Sequence, residues 1–446
     1  MRVLIVDDEE ELRELYELIL SQKYSLQTHF AGSGQEAVRL LDDLGTSVEL
    51  VVSDFNMPNG NGDLVYDKAK TLGIPFILVT SDRREDHPEF SSAQLFAFIQ
   101  KPFNEEEMFQ AVERLMEEKR QYIPLSLHTL LKIGNLKTPI YLRLPSGKMV
   151  KVFNQGDQFS RNSFDHWNAK NVAHFYVHRN DFIPLISEFK NQVLNEVFFN
   201  SIEKQPQVGI SVSQEILEVI GVAAKRLAIS DEVMELTSKN VELVLRIINS
   251  NGNLIPILEG FNPQLKDGVL ARSHLTALIS TFLSKEFDFK YPRSAECLAM
   301  AAFFHDIGLD DEIIVNEGPY IQGAKLGSVI NRDKIERVKR HIDDAIELLR
   351  GLRGVPQEVF RLIYEHHELP DGSGYPKGLK AEQLSELSAF FIVAHQFVEC
   401  FFDPNTKKNL LIKWLDYASV FSHPRYQKLY QFIATRLEHD EKEKTV

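Results

Sequence analysis

Along the first 120 residues, short apolar runs alternate with longer stretches whose apolar residues recur at helical spacing. The runs fall at residues 3–6, 26–30, 50–53, 75–79 and 95–99. Parallel neighbours in a sheet need a crossover, usually a helix, so this alternation predicts a parallel five-stranded α/β sheet wound on both faces. Polar residues follow the runs at what becomes one edge of that sheet. Asp7 and Asp8 follow the first, Asp54 the third, Thr80 the fourth and Lys101 the fifth. Ligands of open parallel sheets bind at the carboxyl ends of the strands, which makes this edge a candidate site.

The pattern then changes. Apolar stretches at 139–144 and 148–153 flank Pro145-Ser146-Gly147, a hairpin signal, and 172–178 reads as a further strand. His174 and His178 share one face of that strand, but four strand residues span about 13 Å, too far for one ion. From about 185 to 265 the spacing is helical, as in Ile216, Val219, Ile220 and Ala223, and Asn251-Gly252-Asn253 marks a turn. The expected organisation is an α/β domain over 1–120, a small α+β, strand-containing adaptor over 121–190, a helical relay over 191–265 and an all-α output domain over 266–446.

In that last segment the apolar stripes are interrupted by histidines. Leu270, His274, Ala277, Leu278 and Thr281 share one predicted helix face, as do Leu298, Ala301, Ala302 and His305. A third stripe holds Val338, His341, Ile342, Ala345 and Leu349, and a fourth Val359, Leu362, Ile363, His366 and His367. A fifth holds Leu387, Phe391, Ala394, His395 and Val398. Burying that many imidazoles unpaired is costly. If the stripes converge, the rings and Asp306 face one another as a metal site. Imidazole with carboxylate suits iron, manganese or zinc. Asp306 can bridge two ions, and such a pair can activate water for attack on a phosphodiester.

The chain has 446 residues, enough for about three domains, and 43% hydrophobic with 26% charged content is ordinary for a globular protein. A formal net charge of −14 argues against general DNA or anionic-membrane binding, so an anionic substrate must be met by metals and local cations. Arg332, Lys334, Arg337, Lys339 and Arg340 precede His341 and read either as such cations or as a solvated helix face. Two distant cysteines, Cys297 and Cys400, suggest a reducing cytoplasm. No signal-peptide layout opens the chain. No apolar run approaches the roughly 20 residues of a membrane span, and the nearest, 390–402, is broken by His395, Gln396 and Glu399.

With Asp7-Asp8, Asp54-Phe-Asn-Met-Pro58, Thr80-Ser81 and Lys101-Pro102-Phe103 in register, the first segment resembles the response-regulator receiver domain. The resemblance implies that Asp54 accepts a phosphoryl group from a sensor histidine kinase. It implies Mg²⁺ held by Asp8, Asp54 and the carbonyl of Asn56, with Asp7 helping through water. Thr80 and Lys101 would contact the phosphoryl oxygens, and Phe98 would take the aromatic switch position.

Arg272-Ser-His274, His305-Asp306-Ile-Gly308, His341, His366-His367-Glu368 and Asp371-Gly-Ser-Gly-Tyr-Pro376 in that order resemble the HD-GYP family of metal-dependent cyclic-dinucleotide phosphodiesterases. The resemblance implies His274, His305, Asp306, His341, His366 and His367 as ligands of two divalent ions, iron or manganese ahead of zinc. His305 and Asp306 form the catalytic doublet. Asp371, Gly372, Gly374, Tyr375 and Pro376 form a loop beside the substrate. Three positions depart from the family pattern: Leu309 stands for a lysine, Leu270 for a glutamate that serves a third metal, and His395 for the last aspartate ligand. His395 keeps the direction of the missing carboxylate and is expected to face the metals.

The expected function is a cytoplasmic response regulator that hydrolyses cyclic di-GMP or a related cyclic dinucleotide under control of Asp54. The alternative, raised by Leu309 and His395, is a catalytically weak or inactive module that binds nucleotide or protein. Neither DNA nor membrane insertion is expected, and a homodimer is left open.

Overall fold

The computed structural model describes all residues except 25, 88–96, 145–147, 173, 200–205, 228, 251–252, 261–267, 292, 310–331, 403–409 and 445–446. The Pro145-Ser146-Gly147 turn, Asn251-Gly252 and the first two positions of the fifth apolar run lie outside these residues, as do the side chains of Arg332, Lys334 and Arg337. The chain forms two compact units, Met1–Leu185 and Ile186–Val446.

The first unit opens with β1 (Arg2–Val6), β2 (Gln27–Ala31), β3 (Leu50–Ser53), β4 (Phe76–Thr80) and β5 (Ala97–Gln100). They pair in parallel in the order β2-β1-β3-β4-β5. Helices α1 (Glu10–Ser21), α2 (Gly34–Leu44), α3 (Gly62–Leu72) and α4 (Glu105–Gln121) cover it. Strand parity divides the core. Leu4, Val6 and Val51 pack with Ala37 and Leu41 of α2 and Val65 and Ala69 of α3. Val3, Ile5 and Val52 pack with Tyr16 and Leu20 of α1 and Met108 and Val112 of α4. Burial on both faces is why these strands read as unbroken apolar runs.

A second, antiparallel sheet follows, ordered β6-β9-β7-β8 from β6 (Tyr122–Ser126), β7 (Ile140–Arg143), β8 (Met149–Phe153) and β9 (His174–His178). Strand β6 was not expected from the sequence. It follows α4 directly and carries Pro124 opposite Tyr176. Proline cannot donate to a ladder, and β6 accommodates it by lying at the sheet edge. Ser126 then caps α5 (Leu127–Ile133) by accepting from Thr129 N at 3.1 Å, and α6 (Arg161–Asn168) completes this part.

Helix α7 (Arg179–Phe199) carries the chain into the second unit, whose named elements among the described residues are helices. The helices are α8 (Pro206–Arg226), α9 (Asp231–Ser250), α10 (Leu254–Gly260), α11 (Val269–Glu286) and α12 (Ser294–Phe304). There follow α13 (Arg332–Leu349), α14 (Gln357–Glu365), α15 (Glu386–Phe402), α16 (Leu410–Leu415) and α17 (Pro424–Lys444). The single apolar stripes expected for α11 and α15 are only part of the truth. From Ala271 to Ser284 and from Leu387 to Cys400 every residue is buried, because these helices are central and packed on all sides. Helix α14 does keep one stripe, burying Val359, Leu362 and Ile363 while Gln357 and Arg361 face outward. Among the described residues no helix is long and apolar enough to cross a membrane.

Candidate functional sites

At the carboxyl edge of the first sheet, β1, β3 and β5 bring Asp7, Asp54 and Lys101 together. Lys101 Nζ lies 3.0 Å from Asp7 Oδ2 and 2.9 Å from Asp54 Oδ1. Both carboxylates are buried, at 1% and 7% exposure. Burial pushes the Asp54 carboxyl above the ordinary range, against the pull of Lys101. Burial also opposes the Lys101 charge, yet the bond to Asp54 and the nearby acidic groups hold it above the usual lysine value. Thr80 is buried, and its hydroxyl accepts from Asp82 N at 3.2 Å. Asn56 Nδ2 donates to Asp82 Oδ2 at 2.8 Å. Asp8 is exposed, and half-buried Phe98 has the Arg84 guanidinium 5.8 Å from its ring. The carboxylates of this edge offer a hard cation such as Mg²⁺ the oxygen donors it requires.

In the second unit, one cluster gathers residues from four helices. His305 caps the end of α12 and Asp306 follows it, His341 stands on α13, His366 caps α14 with His367 next, and His395 stands on α15. One ligand atom from each of Asp306, His341, His366 and His367 lies within 4.8 Å of all the others, and the same holds for His305, His366 and His395. His366 thus belongs to both groups. Asp306 Oδ2 is 3.0 Å from His305 Nε2, and Oδ1 is 3.4 Å from His341 Nε2 and 3.6 Å from His366 Nε2.

The capping positions set the ring tautomers. His305 Nδ1 lies 2.9 Å from Ala302 O and His366 Nδ1 lies 2.6 Å from Ile363 O. A proton on Nδ1, donated to those carbonyls, leaves each Nε2 lone pair facing the cluster, the arrangement a metal-binding histidine requires. Burial lowers the pKa of His366, and burial with neighbouring imidazoles lowers His367 and His395 well below the usual value. Burial works against the charge of His305, but the Asp306 charge and hydrogen bond together with the Ala302 carbonyl raise it. Asp306 itself is pushed up by burial but held well below the carboxylate range, chiefly by His305.

These residues fit a divalent ion on two observations. His341 Nε2 and His366 Nε2 lie 3.2 Å apart, and two such lone pairs repel unless a proton or cation lies between them. Both ring nitrogens of His367 are buried without a hydrogen-bond partner among the described residues. His395 is 3% exposed, its ring centre 5.2, 5.1 and 5.0 Å from those of His305, His366 and His367, so it faces the cluster as its stripe predicts. His274 is fully buried on α11 but belongs to neither ligand group, and burial alone drives its pKa down to about 3.

The loop after His367 is built against the cluster. Tyr375 N donates to His367 O at 3.0 Å, and the two rings stack at 4.4 Å and 20°. Gly374 is obligatory here, because a Cβ would sit 2.3 Å from Leu369 N and 2.5 Å from His367 O. Asp371 Oδ1 accepts from Ser373 N at 2.9 Å, Gly372 sits at φ +84°, and Pro376 follows Tyr375. Glu368, to which the sequence assigned no role, is the anchor. It is wholly buried, and its two oxygens accept from Lys377 N and Leu379 N, each at 2.7 Å.

Other contributors were also missed. Arg272 Nη1 pairs with Glu399 Oε2 at 2.7 Å, with both residues buried. Glu399 stands one turn beyond His395, and that spacing is the signal in the sequence that points to it. The departures at Leu270 and Leu309 both meet α8. A Cβ at Gly221 would lie 3.0 Å from Leu270 Cδ2, and Lys225 Nζ donates to Leu309 O at 3.0 Å. Of the basic residues before His341, Lys339 and Arg340 are exposed, and Arg340 lies 3.5 Å from Asp344.

Comparison with known proteins gives one family match within each of the two units. Residues 3–113 match the response regulator receiver domain and residues 283–413 match the HD domain. The chain is therefore a receiver domain joined to an HD domain. It is 30% identical over 115 residues to a putative transcriptional regulator of Haloferax volcanii, covering 26% of this chain but only 19% of that protein. It is 31% identical over 126 residues to the cyclic di-GMP phosphodiesterase response regulator RpfG of Xanthomonas campestris pv. campestris, covering 28% of this chain and 30% of that one. Among solved structures, Bd1817, an HDG"Y"P protein of Bdellovibrio bacteriovorus, aligns with 70% of this chain and 99% of its own, at 15% identity and a TM-score of 0.49.

Proposed function

We propose that this chain is a phosphorylation-controlled, metal-dependent phosphodiesterase of the HD-GYP type, acting on cyclic di-GMP or a related cyclic dinucleotide. The observation that carries the proposal is the pair of ligand groups sharing His366, with the Asp306 carboxylate inside one and 3.0 Å from His305 of the other. The donors of these groups would suit two divalent ions, iron or manganese ahead of zinc, with His366 serving one of them through its single free Nε2 and Asp306 supplying the carboxylate. Bound there, the ions would supply Lewis acidity and an activated water for in-line attack on phosphorus. The protein's own residues do the rest. The Ala302 and Ile363 carbonyls hold His305 and His366 in the ligating tautomer. The 371–376 loop, pinned by Glu368, forms the wall beside the substrate. At the receiver edge, Asp54 accepts a phosphoryl group from a sensor histidine kinase with Mg²⁺ on the adjoining carboxylates, and Thr80 and Lys101 contact its oxygens. A cytoplasmic setting accords with two buried cysteines that form no disulfide.

A second reading rests on His395. With imidazole in place of a second carboxylate, and Leu309 in place of a lysine, the cluster has less negative charge to bridge two ions and one cation fewer for phosphate. Losing one preorganised group of that kind costs about 10²–10³ in rate. Turnover is therefore expected to be slow, and its absence with tight nucleotide binding would make the protein a receptor. The test is metal analysis of protein purified without chelator, together with cyclic di-GMP turnover. Bound transition metal and slow release of a linear dinucleotide or GMP, abolished by His305→Ala with Asp306→Ala, are expected. A protein that holds no metal even after loading would refute the proposal.

A further inference from the structure

Helix α14 has a second working face. One side of it buries Val359 and Ile363, and the helix ends at His366 of the metal cluster. The other side borders a separate cavity of about 670 Å³ between α14, the start of α15 and the segment before α12. None of the residues assigned to the metal cluster or its loop lines it. The volume is within the range of small-molecule sites, about 300–1,000 Å³.

Its chemistry is specific. Phe289, Tyr291, Phe360 and Tyr364 give an aromatic wall, and Phe289 is seated on Phe390 with ring centres 5.0 Å apart. The polar groups are fixed in place. Arg361 Nε donates to Glu365 Oε1 at 2.8 Å, and the other oxygen of the buried Glu365 accepts from Ser385 N at 3.3 Å. The two terminal guanidinium nitrogens of Arg361 have no partner among the described residues, and its side chain is 54% exposed. Lys377, which is not part of the lining, holds its Nζ 5.2 Å from the Tyr364 ring centre. Glu386 and Gln357 both line the cavity, and the Glu386 carboxylate has no partner among the described residues.

We propose that this cavity is an accessory binding site for a guanine mononucleotide. A flat base stacks on the aromatic wall, as bases do on Phe and Tyr in single-strand sites. The Glu386 carboxylate accepts from the N1–H and N2–H donors that guanine presents side by side and adenine does not. Arg361, the basic residue of the lining, takes the phosphate through its terminal guanidinium nitrogens. Lys377 N donates to Glu368 at 2.7 Å and its Nζ lies over Tyr364, so this residue links one lining side chain to the loop beside the metal cluster. The site goes beyond the phosphodiesterase reading and does not require turnover.

The test is isothermal titration of the full chain carrying His305→Ala and Asp306→Ala, which disables the metal cluster, with circular dichroism to confirm folding. Wild-type protein with chelator serves as the second background. One GMP per chain is expected to bind in both, AMP at least about tenfold more weakly, and inorganic phosphate not measurably. Phe360→Ala and Arg361→Gln should each weaken GMP at least about tenfold, and Glu386→Gln should abolish the preference over AMP. No GMP binding at millimolar concentration, equal binding of AMP, or GMP binding unaffected by Phe360→Ala and Arg361→Gln would each overturn the proposal. Failure of cyclic di-GMP turnover bears only on the phosphodiesterase reading, because these titrations measure binding with the metal cluster disabled.

Discussion

Glu368 shows how much one side chain settles at this site. Its carboxylate spans two main-chain N–H groups nine and eleven residues further on and so fixes the whole return of the loop. Glu368→Gln turns one acceptor into a donor facing a donor. A loss of about 1.5–3 kcal/mol is expected from removing such a charge-assisted contact, read as a lower urea midpoint. An unchanged midpoint would show that the loop is held by other means. A second residue gives a pH test. Burial pushes the Cys297 thiol up from the ordinary range to about 11. Below about pH 9 both states keep the proton, so the contribution to stability is complete. Between there and about 11 the unfolded chain releases the proton first, and stability falls as pH rises. In reducing buffer, the wild-type urea midpoint should therefore drop more between pH 8 and pH 10 than that of Cys297→Ala, and equal drops would contradict this. The histidines of the cluster were legible because each interrupts an apolar stripe. Glu368 was not, because its partners are main-chain groups that no side-chain pattern encodes. Arg272 and Glu399 were not, because they meet only across 127 residues of sequence.

Elements were legible where one period governed them. The strands of the first sheet read as apolar runs because both faces are buried, and α14 reads as a stripe because one face is exposed. The signal failed in two places for physical reasons. Strand β6 carries Pro124, which argues against a strand unless the strand lies at an edge, and the sequence does not say where the edge is. Helices α11 and α15 are buried all round, so a stripe drawn on either selects the histidine face without excluding the others. The role of α8 was invisible too, since its contacts to Leu270 and Leu309 depend on packing between distant segments. At the element scale, the decisive feature is the turn through Gly374. A Cβ there meets main-chain atoms at 2.3–2.5 Å, which cannot rotate away as a side chain can. Gly374→Ala should therefore displace the loop while the helices persist. The expected result is near-normal far-ultraviolet circular dichroism, retained metal, and at least about a 10²-fold loss of cyclic di-GMP turnover, the scale of a 1 Å misplacement at a reacting centre. Full activity would remove the loop from the site.

For the whole molecule, the question is what a phosphoryl group at one site does to chemistry at the other. In the structure Lys101 is held by Asp54 Oδ1 at 2.9 Å and by Asp7 Oδ2 at 3.0 Å. A phosphoryl group on Asp54 brings about −1.5 to −2 charges and new acceptor oxygens. It must break or rebuild that Lys101 contact and draw the Thr80 hydroxyl from its present partner, Asp82 N. A change of that kind alters the output only if the two forms of the receiver favour different states of the metal-binding unit, by a coupling typically worth about 1–3 kcal/mol. The expected outcome for the full chain is that acetyl phosphate with Mg²⁺ adds one phosphoryl group and shifts cyclic di-GMP turnover by about 5–150-fold. Asp54→Asn should block both the labelling and the shift while leaving metal content unchanged. Labelling without any shift in turnover or in nucleotide affinity would separate the two domains functionally. A shift that survives Asp54→Asn would place the phosphate's effect somewhere other than the receiver.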